Sequence, residues 1–174
     1  MVRTIVIVDH DPQWSAEYER LRAHLAAHIF DLVLDIVHVG STAVPHLAAK
    51  PIIDLDIILA SYEQFPHLTA RLETLGYQHA GDGGIPTRER FKRPTSDDFY
   101  PHHLYACPVD SPELARHVLF RDYLRSDARA RDEYAELKQT LAAQYRHDID
   151  AYVAGKSQFI EAAMGTVPIA SHSR

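Results

Sequence analysis

The chain has 174 residues, enough for one domain with a helical extension at one end, and 46% of them are hydrophobic, the usual share in a soluble globular protein. A formal net charge of −6 argues against a general nucleic-acid binder that relies on many phosphate contacts. A single cysteine, Cys107, excludes an internal disulfide and makes the reducing cytosol the default compartment, so a cytoplasmic protein is expected.

Thr4-Ile5-Val6-Ile7-Val8 is too short for the apolar stretch of a secretion signal and runs at once into Asp9, His10 and Asp11, so it reads as a first strand. No other apolar run reaches bilayer-spanning length, and no membrane partner is expected. Asp11 as N-cap with Pro12 at the first helical position opens a helix to about His28, with Trp14, Tyr18, Leu21 and Leu25 as its buried stripe. Leu32 to Val39 is a second strand, and Gly40 to Lys50 is a loop whose exit Pro51 marks. Ile52 to Ala60, rich in β-branched residues and leucine, is a third strand. Ser61 and Gln64 form a capping box ahead of a helix carrying Phe65, Leu68, Leu72 and Leu75, which stops at Gly76.

Tyr77 to Ala80 is a short strand before the turn Gly81-Asp82-Gly83-Gly84, and Arg88 to Lys92 and His102 to Cys107 are two more strands. The last third is helical: from Ser111 to about Arg125, from Asp127 with Tyr134, Leu137, Leu141 and Tyr145 on one face, and from about Asp148 to Gly165 with Tyr152, Phe159, Ile160 and Ala163. The class is α+β, a mixed sheet with helices on one side. Residues 1–110 form the core, 111–165 the C-terminal helices packed on it, and 166–174 a flexible tail.

Chemistry concentrates around Gly40-Ser41 and the strand that carries Asp54 and Asp56. Residues two apart on a strand share a face, so the two carboxylates project side by side from an otherwise apolar strand. They repel and resist desolvation unless a cation intervenes; Mg²⁺ (or Mn²⁺) suits such carboxylates together with substrate phosphates. Gly40 permits close approach of a phosphate, and Ser41 adds a donor. A phosphate-gripping turn feeding a two-aspartate strand is what nucleotidyl transfer needs, with two metal ions about 4 Å apart at the reacting centre.

The combination resembles the signature of the DNA polymerase beta-like nucleotidyltransferases. One family is matched more fully: His38 to Pro45, Ala49 to Asp54, Phe120-Arg121-Asp122-Tyr123-Leu124-Arg125, Tyr134 to Lys138, and Tyr152 to Ile160 resemble the motifs of the GrpB family from first strand to final helix. The resemblance implies a nucleotidyltransferase-like fold with Gly40, Ser41 and Thr42 at the phosphates, and a domain that in some bacteria is fused to dephospho-CoA kinase. Two departures stand out: His46 where the family usually has glycine, and Tyr105 in place of the second histidine of a His-Leu-His strand. Active members of the wider superfamily use a third carboxylate on a neighbouring strand. His102 to Cys107 offers none, and His103 and Tyr105 share the face where it would stand.

His103 therefore joins Asp54 and Asp56 as a catalytic candidate, and Lys50, Arg121 and Lys156 are the candidate phosphate-binding cations. Against each stands a plainer role: a solvated loop for Lys50, an ion pair with Asp122 for Arg121, a surface cation for Lys138 or Lys156. Lys156, beside an apolar stripe, is placed ahead of Lys138. Arg88-Glu89-Arg90-Phe91-Lys92-Arg93 is either a solvated face or a phosphate clamp, and Glu89 inside it is either a third carboxylate or, the reading preferred, a partner in a surface salt bridge. His24 and His28 lack the further ligands that zinc needs and read as surface or packing residues. The expected function is metal-dependent transfer of a nucleoside monophosphate from an NTP to a small-molecule acceptor; the alternative is a module that binds a nucleotide or CoA-like ligand without turnover.

Overall fold

A computed structural model describes residues 4–95 and 98–166. Its elements in chain order are α1 (Gln13–Ile29), β1 (Asp35–Val39), β2 (Ile53–Leu59), α2 (Phe65–Thr74), β3 (Gln78–His79), β4 (Glu89–Lys92), β5 (His102–Pro108), α3 (Pro112–Ser126), α4 (Ala128–Gln144) and α5 (Ile149–Thr166). The strands form one five-stranded mixed sheet in the order β1-β2-β5-β4-β3, with β2 and β5 parallel and the other neighbours antiparallel. The expected α+β class and mixed sheet are both present.

Local chemistry places most boundaries. The Asp11 carboxylate accepts from the Gln13 backbone N–H and opens α1. Ser61 and Gln64 make the reciprocal capping box at a 3-10 turn ahead of α2, and Gly76 leaves that helix with φ 84°. Ser111, Asp127 and Asp148 each accept a backbone N–H at the start of α3, α4 and α5.

The sheet keeps two different faces. Ile53, Leu55, Ile57 and Leu59 of β2 join Leu104 and Ala106 of β5 beneath Trp14, Leu21, Leu25 and Ile29 of α1 and Leu68 and Leu72 of α2. Each such buried aliphatic side chain contributes about 1.5–3 kcal/mol. The opposite face carries Asp54 and Asp56, and α3 crosses it. Helices therefore cover both faces, where the sequence suggested one. Val44 and Leu47 from the 40–50 loop pack with Leu124, Ala130 and Tyr134, which ties that loop to α3 and α4.

The expected first strand, Thr4 to Val8, does not join the sheet. Val8 makes one antiparallel bridge with Ala49, and Ile5 packs with Leu141, Ala142 and Tyr152, so its apolar side chains find partners on the C-terminal helices instead. Of the expected tail, Thr166 ends α5 and 167–174 lie outside the described residues. Among the described residues no helix is long and apolar enough to cross a membrane.

Candidate functional site

β2 alternates aliphatic and acidic side chains, and its register fixes the neighbours of each acid. Val39 of β1 and His103 of β5 flank Asp54; Val37 and Tyr105 flank Asp56. His103 Nδ1 lies 2.9 Å from Asp54 Oδ1. A carboxylate oxygen accepts, so Nδ1 carries the proton of this contact, and in the tautomer that it selects Nε2 bears the lone pair. Gly40, at φ 71°, closes the other side: a Cβ there would stand 2.4 Å from Asp54 Oδ2. Only glycine lets this backbone rest on the carboxylate.

Asp56 lies in a different environment. It is fully buried; Oδ2 accepts from His117 Nδ1 at 2.7 Å, while Oδ1 is buried with no hydrogen-bond partner. His117 Nε2 meets Glu113 Oε1 at 3.1 Å. With a carboxylate on each nitrogen the ring is an imidazolium. Burial opposes that charge, but the hydrogen bonds that the ring donates to Asp56 and Glu113 prevail and raise its pKa to about 9. The His117 and Arg116 hydrogen bonds in turn hold Glu113 well below the usual carboxylate range.

Three lysines converge on the Gly40-Ser41 turn. Lys50 and Lys156 stand 5.1 and 4.7 Å from the Tyr152 ring centroid. Lys138, expected as the lesser candidate and a surface cation, is instead buried, and its Nζ donates to Ser41 Oγ at 2.9 Å and to the Ala48 carbonyl. Burial and the neighbouring lysines push Lys138 down to about 7 and Lys156 to about 8. Ammonium groups held this far below their ordinary range gain from an incoming polyanion.

Other residues brace the turn. Arg121 donates to the His38 carbonyl at 2.9 Å and pairs with Asp122, and Arg125 donates twice to the Ala43 carbonyl. The Thr42 hydroxyl donates to the Ile52 carbonyl at 3.2 Å and meets His38 Nε2 at 3.0 Å. His38 is stacked on Tyr18, and burial lowers it to about 4, so it stays neutral.

These groups surround a cleft of about 350 Å³ that brings together Gly40, Ser41, Thr42, Lys50, Asp54, His103, Arg121 and Lys156. Asp56 does not line it, because His117 and α3 cover its carboxylate. Lys138 (the lesser candidate), Arg88 from the basic island and Tyr105 line it as well, and so do His117 and Arg116, which had not been singled out. Arg88, from the basic island, faces the Tyr105 ring at 4.8 Å and Glu113 at 3.6 Å. Glu89 pairs with His79 at 2.8 Å, not with the arginines beside it, because successive strand residues point to opposite faces. His24 and His28 stand side by side on α1 with tilted rings 5.0 Å apart, and His24 lies against Phe99, as packing residues do.

Among the described residues no three His, Cys, Asp or Glu side chains are grouped to hold a metal ion. The two-ion arrangement lacks its ligands: beside Asp56 on β5 stands the Tyr105 phenol, which burial and Asp54 push up to about 12. One Mg²⁺ or Mn²⁺ is a different matter. Asp54, with 28% of its side chain exposed, meets the cleft, and the unpartnered Asp56 Oδ1 lies buried behind it; both are oxygens of the kind that Mg²⁺ takes together with phosphates.

The family model described as GrpB protein matches residues 4–166. The chain belongs to the GrpB family. YqkA of Bacillus subtilis is 34% identical over 161 residues, 92% of this chain but 46% of YqkA, so the chain spans less than half of that relative. A dephospho-CoA kinase of Mycolicibacterium paratuberculosis is 29% identical, matching 90% of this chain and 44% of its own length, which agrees with the expected fusion. The crystal structure of GrpB from Enterococcus faecalis superposes with a TM-score of 0.82 at 30% identity, covering 92% of this chain and 95% of that one. Cid1 poly(U) polymerase, solved with Mg 3′-dATP bound, shares the fold at a TM-score of 0.55 and 14% identity, over 79% of this chain and 43% of its own. The GrpB fold is thus nucleotidyltransferase-like. The family's usual glycine also gains a physical reason here, since His46 sits at φ 66°.

Proposed function

We infer that the cleft binds a nucleoside triphosphate together with one divalent cation and transfers its nucleoside monophosphate to a small acceptor. Gly40 seated on the Asp54 carboxylate, in a cleft walled by Lys50, Lys138 and Lys156, carries that conclusion. The fold shared with Cid1 supports it.

Asp54 and Asp56 Oδ1 would hold Mg²⁺ or Mn²⁺, which when bound neutralises phosphate charge. Gly40 and Ser41 offer backbone N–H groups and a hydroxyl to the phosphates, and the three lysines balance the remaining charge. Arg121 and Thr42 hold the turn in place. His103 takes the acceptor's proton on Nε2, while Asp54 fixes its tautomer and stabilises the imidazolium that forms.

Holding the nucleotide without turnover is a second use of the same cleft, favoured by Tyr105 where a third carboxylate would stand and by the imidazolium on Asp56. Calorimetric titration with ATP and the other NTPs, with and without Mg²⁺, tests the common part. Binding should require Mg²⁺, and Asp54→Asn should weaken it roughly tenfold or more, about 1.4 kcal/mol, while melting as the wild type does. Undiminished binding by that variant would sink the metal role. Pyrophosphate release with candidate acceptors then separates transfer from holding.

A further inference from the structure

Lys138 is 2% exposed, yet its ammonium group meets a hydroxyl, a carbonyl and an aromatic ring in place of a carboxylate: Ser41 Oγ, the Ala48 oxygen and Tyr134, whose centroid is 4.8 Å away. Acting on it are Lys50 from the loop, Lys156 of α5 and Asp54 of β2, with the Tyr134 ring of its own helix against it. Burial, Lys156 and Lys50 lower it to about 7, and Asp54 pulls the other way. Donation to the Ala48 carbonyl is a structural role, but it does not by itself require an amine poised against Ser41. A lysine that is partly neutral near pH 7, in hydrogen-bond contact with a serine, is instead a means of activating that hydroxyl. Ser41 is half-buried, follows the positive-φ Gly40 and lines the cleft.

We propose that Ser41 is a nucleophile with Lys138 as its general base, and that it accepts the terminal phosphoryl group of an NTP bound in the cleft. The step rests on the nucleotide-binding function inferred above. A bond forms between Ser41 Oγ and the terminal phosphorus, the bond from that phosphorus to the bridging oxygen breaks, the nucleoside diphosphate leaves, and the serine proton passes to Lys138 Nζ. The resulting phosphoserine sits among Lys50, Lys138 and Lys156 and fills the seat that an incoming triphosphate needs, which makes the modification self-limiting.

The test is incubation of the whole chain with Mg²⁺-ATP, followed by intact-mass measurement and peptide mapping, with calorimetry in parallel. The expected result is one phosphoryl group on Ser41, added faster as pH rises through about 7 and above, and absent from Ser41→Ala. Lys138→Arg keeps a cation but cannot accept the proton, so it should stay unmodified when compared with the wild type at ATP concentrations that saturate each protein, as the parallel titration fixes them. Lys138→Met, compared in the same way at its own saturating ATP concentration, decides the same point if the arginine variant does not melt cooperatively. ATP binding without modification of Ser41, or equal modification in the Lys138 variants, overturns the proposal and leaves nucleotide binding standing. Absence of ATP binding overturns both.

Discussion

The charge on His117 makes a measurable demand on stability. Its folded pKa of about 9 lies above the ordinary 6.5, so folding takes up a proton between those values. The stabilisation is complete below about pH 6.5 and is lost as pH climbs through about 9. A rise of this size, at about 1.4 kcal/mol per unit, is worth about 3 kcal/mol, and His117 keeps 19% of its side chain exposed, so solvent screens it little. Lys138 and Lys156 work in the opposite sense over the same range. Their folded values of about 7 and about 8 lie below 10.5, so stability returns as each loses its proton. The wild-type curve alone is therefore a composite, and the informative quantity is the gap between wild type and His117→Gln. Urea unfolding from about pH 6.5 to about pH 10 should show that gap shrinking by about 3 kcal/mol. The His117 Cε1–H resonance should titrate near 9. A resonance that titrates near 6.5, with a gap independent of pH, would refute the clamp between Asp56 and Glu113.

Two further changes probe the loop. Gly40→Ala combines a left-handed φ of 71°, costing about 1–2 kcal/mol, with a Cβ 2.4 Å from Asp54 Oδ2, costing about 1–3 kcal/mol more. Denaturant unfolding should register a loss of about 2–5 kcal/mol, and Mg²⁺-dependent nucleotide binding should fall with it. His46→Gly removes the strain of a side chain at φ 66° and, among the described residues, gives up a ring contact with His10 at 5.8 Å. It should gain about 1 kcal/mol, a melting temperature higher by about 2–4 °C in a scanning calorimeter.

What the sequence reveals depends on how far apart the interacting groups lie along the chain. The capping box at Ser61, the α1 stripe and the alternation of β2 are short-range patterns, and they appear where expected. Asp54 and Asp56 were legible as a pair for the same reason. That they have unlike surroundings was not, because His117 reaches Asp56 across 61 residues and nothing near either position marks the contact. The signal that existed was Glu113 and His117 one helical turn apart on α3, a pair able to share a proton. Lys138 was misplaced because lysine is ordinarily solvated; its burial follows from helix packing that brings α4 against the 40–50 loop. Thr4 to Val8 has strand composition, but tertiary packing on α4 and α5 overrides it.

The unlike surroundings of the two aspartates bear directly on the chemistry. A pair of carboxylates open to one cleft would repel, and two divalent ions could answer that repulsion. Here the repulsion at Asp56 is already answered by a fixed imidazolium, itself held by Glu113, which leaves one oxygen of Asp56 without a partner and Asp54 as the carboxylate that meets the cleft. Under the proposed nucleotide function, the remaining charge at the phosphates would come from Lys50, Lys138 and Lys156. That proposal then calls for a single cation carried in with the phosphates, and a Mg²⁺ dependence with one ion per nucleotide is the stoichiometry it predicts.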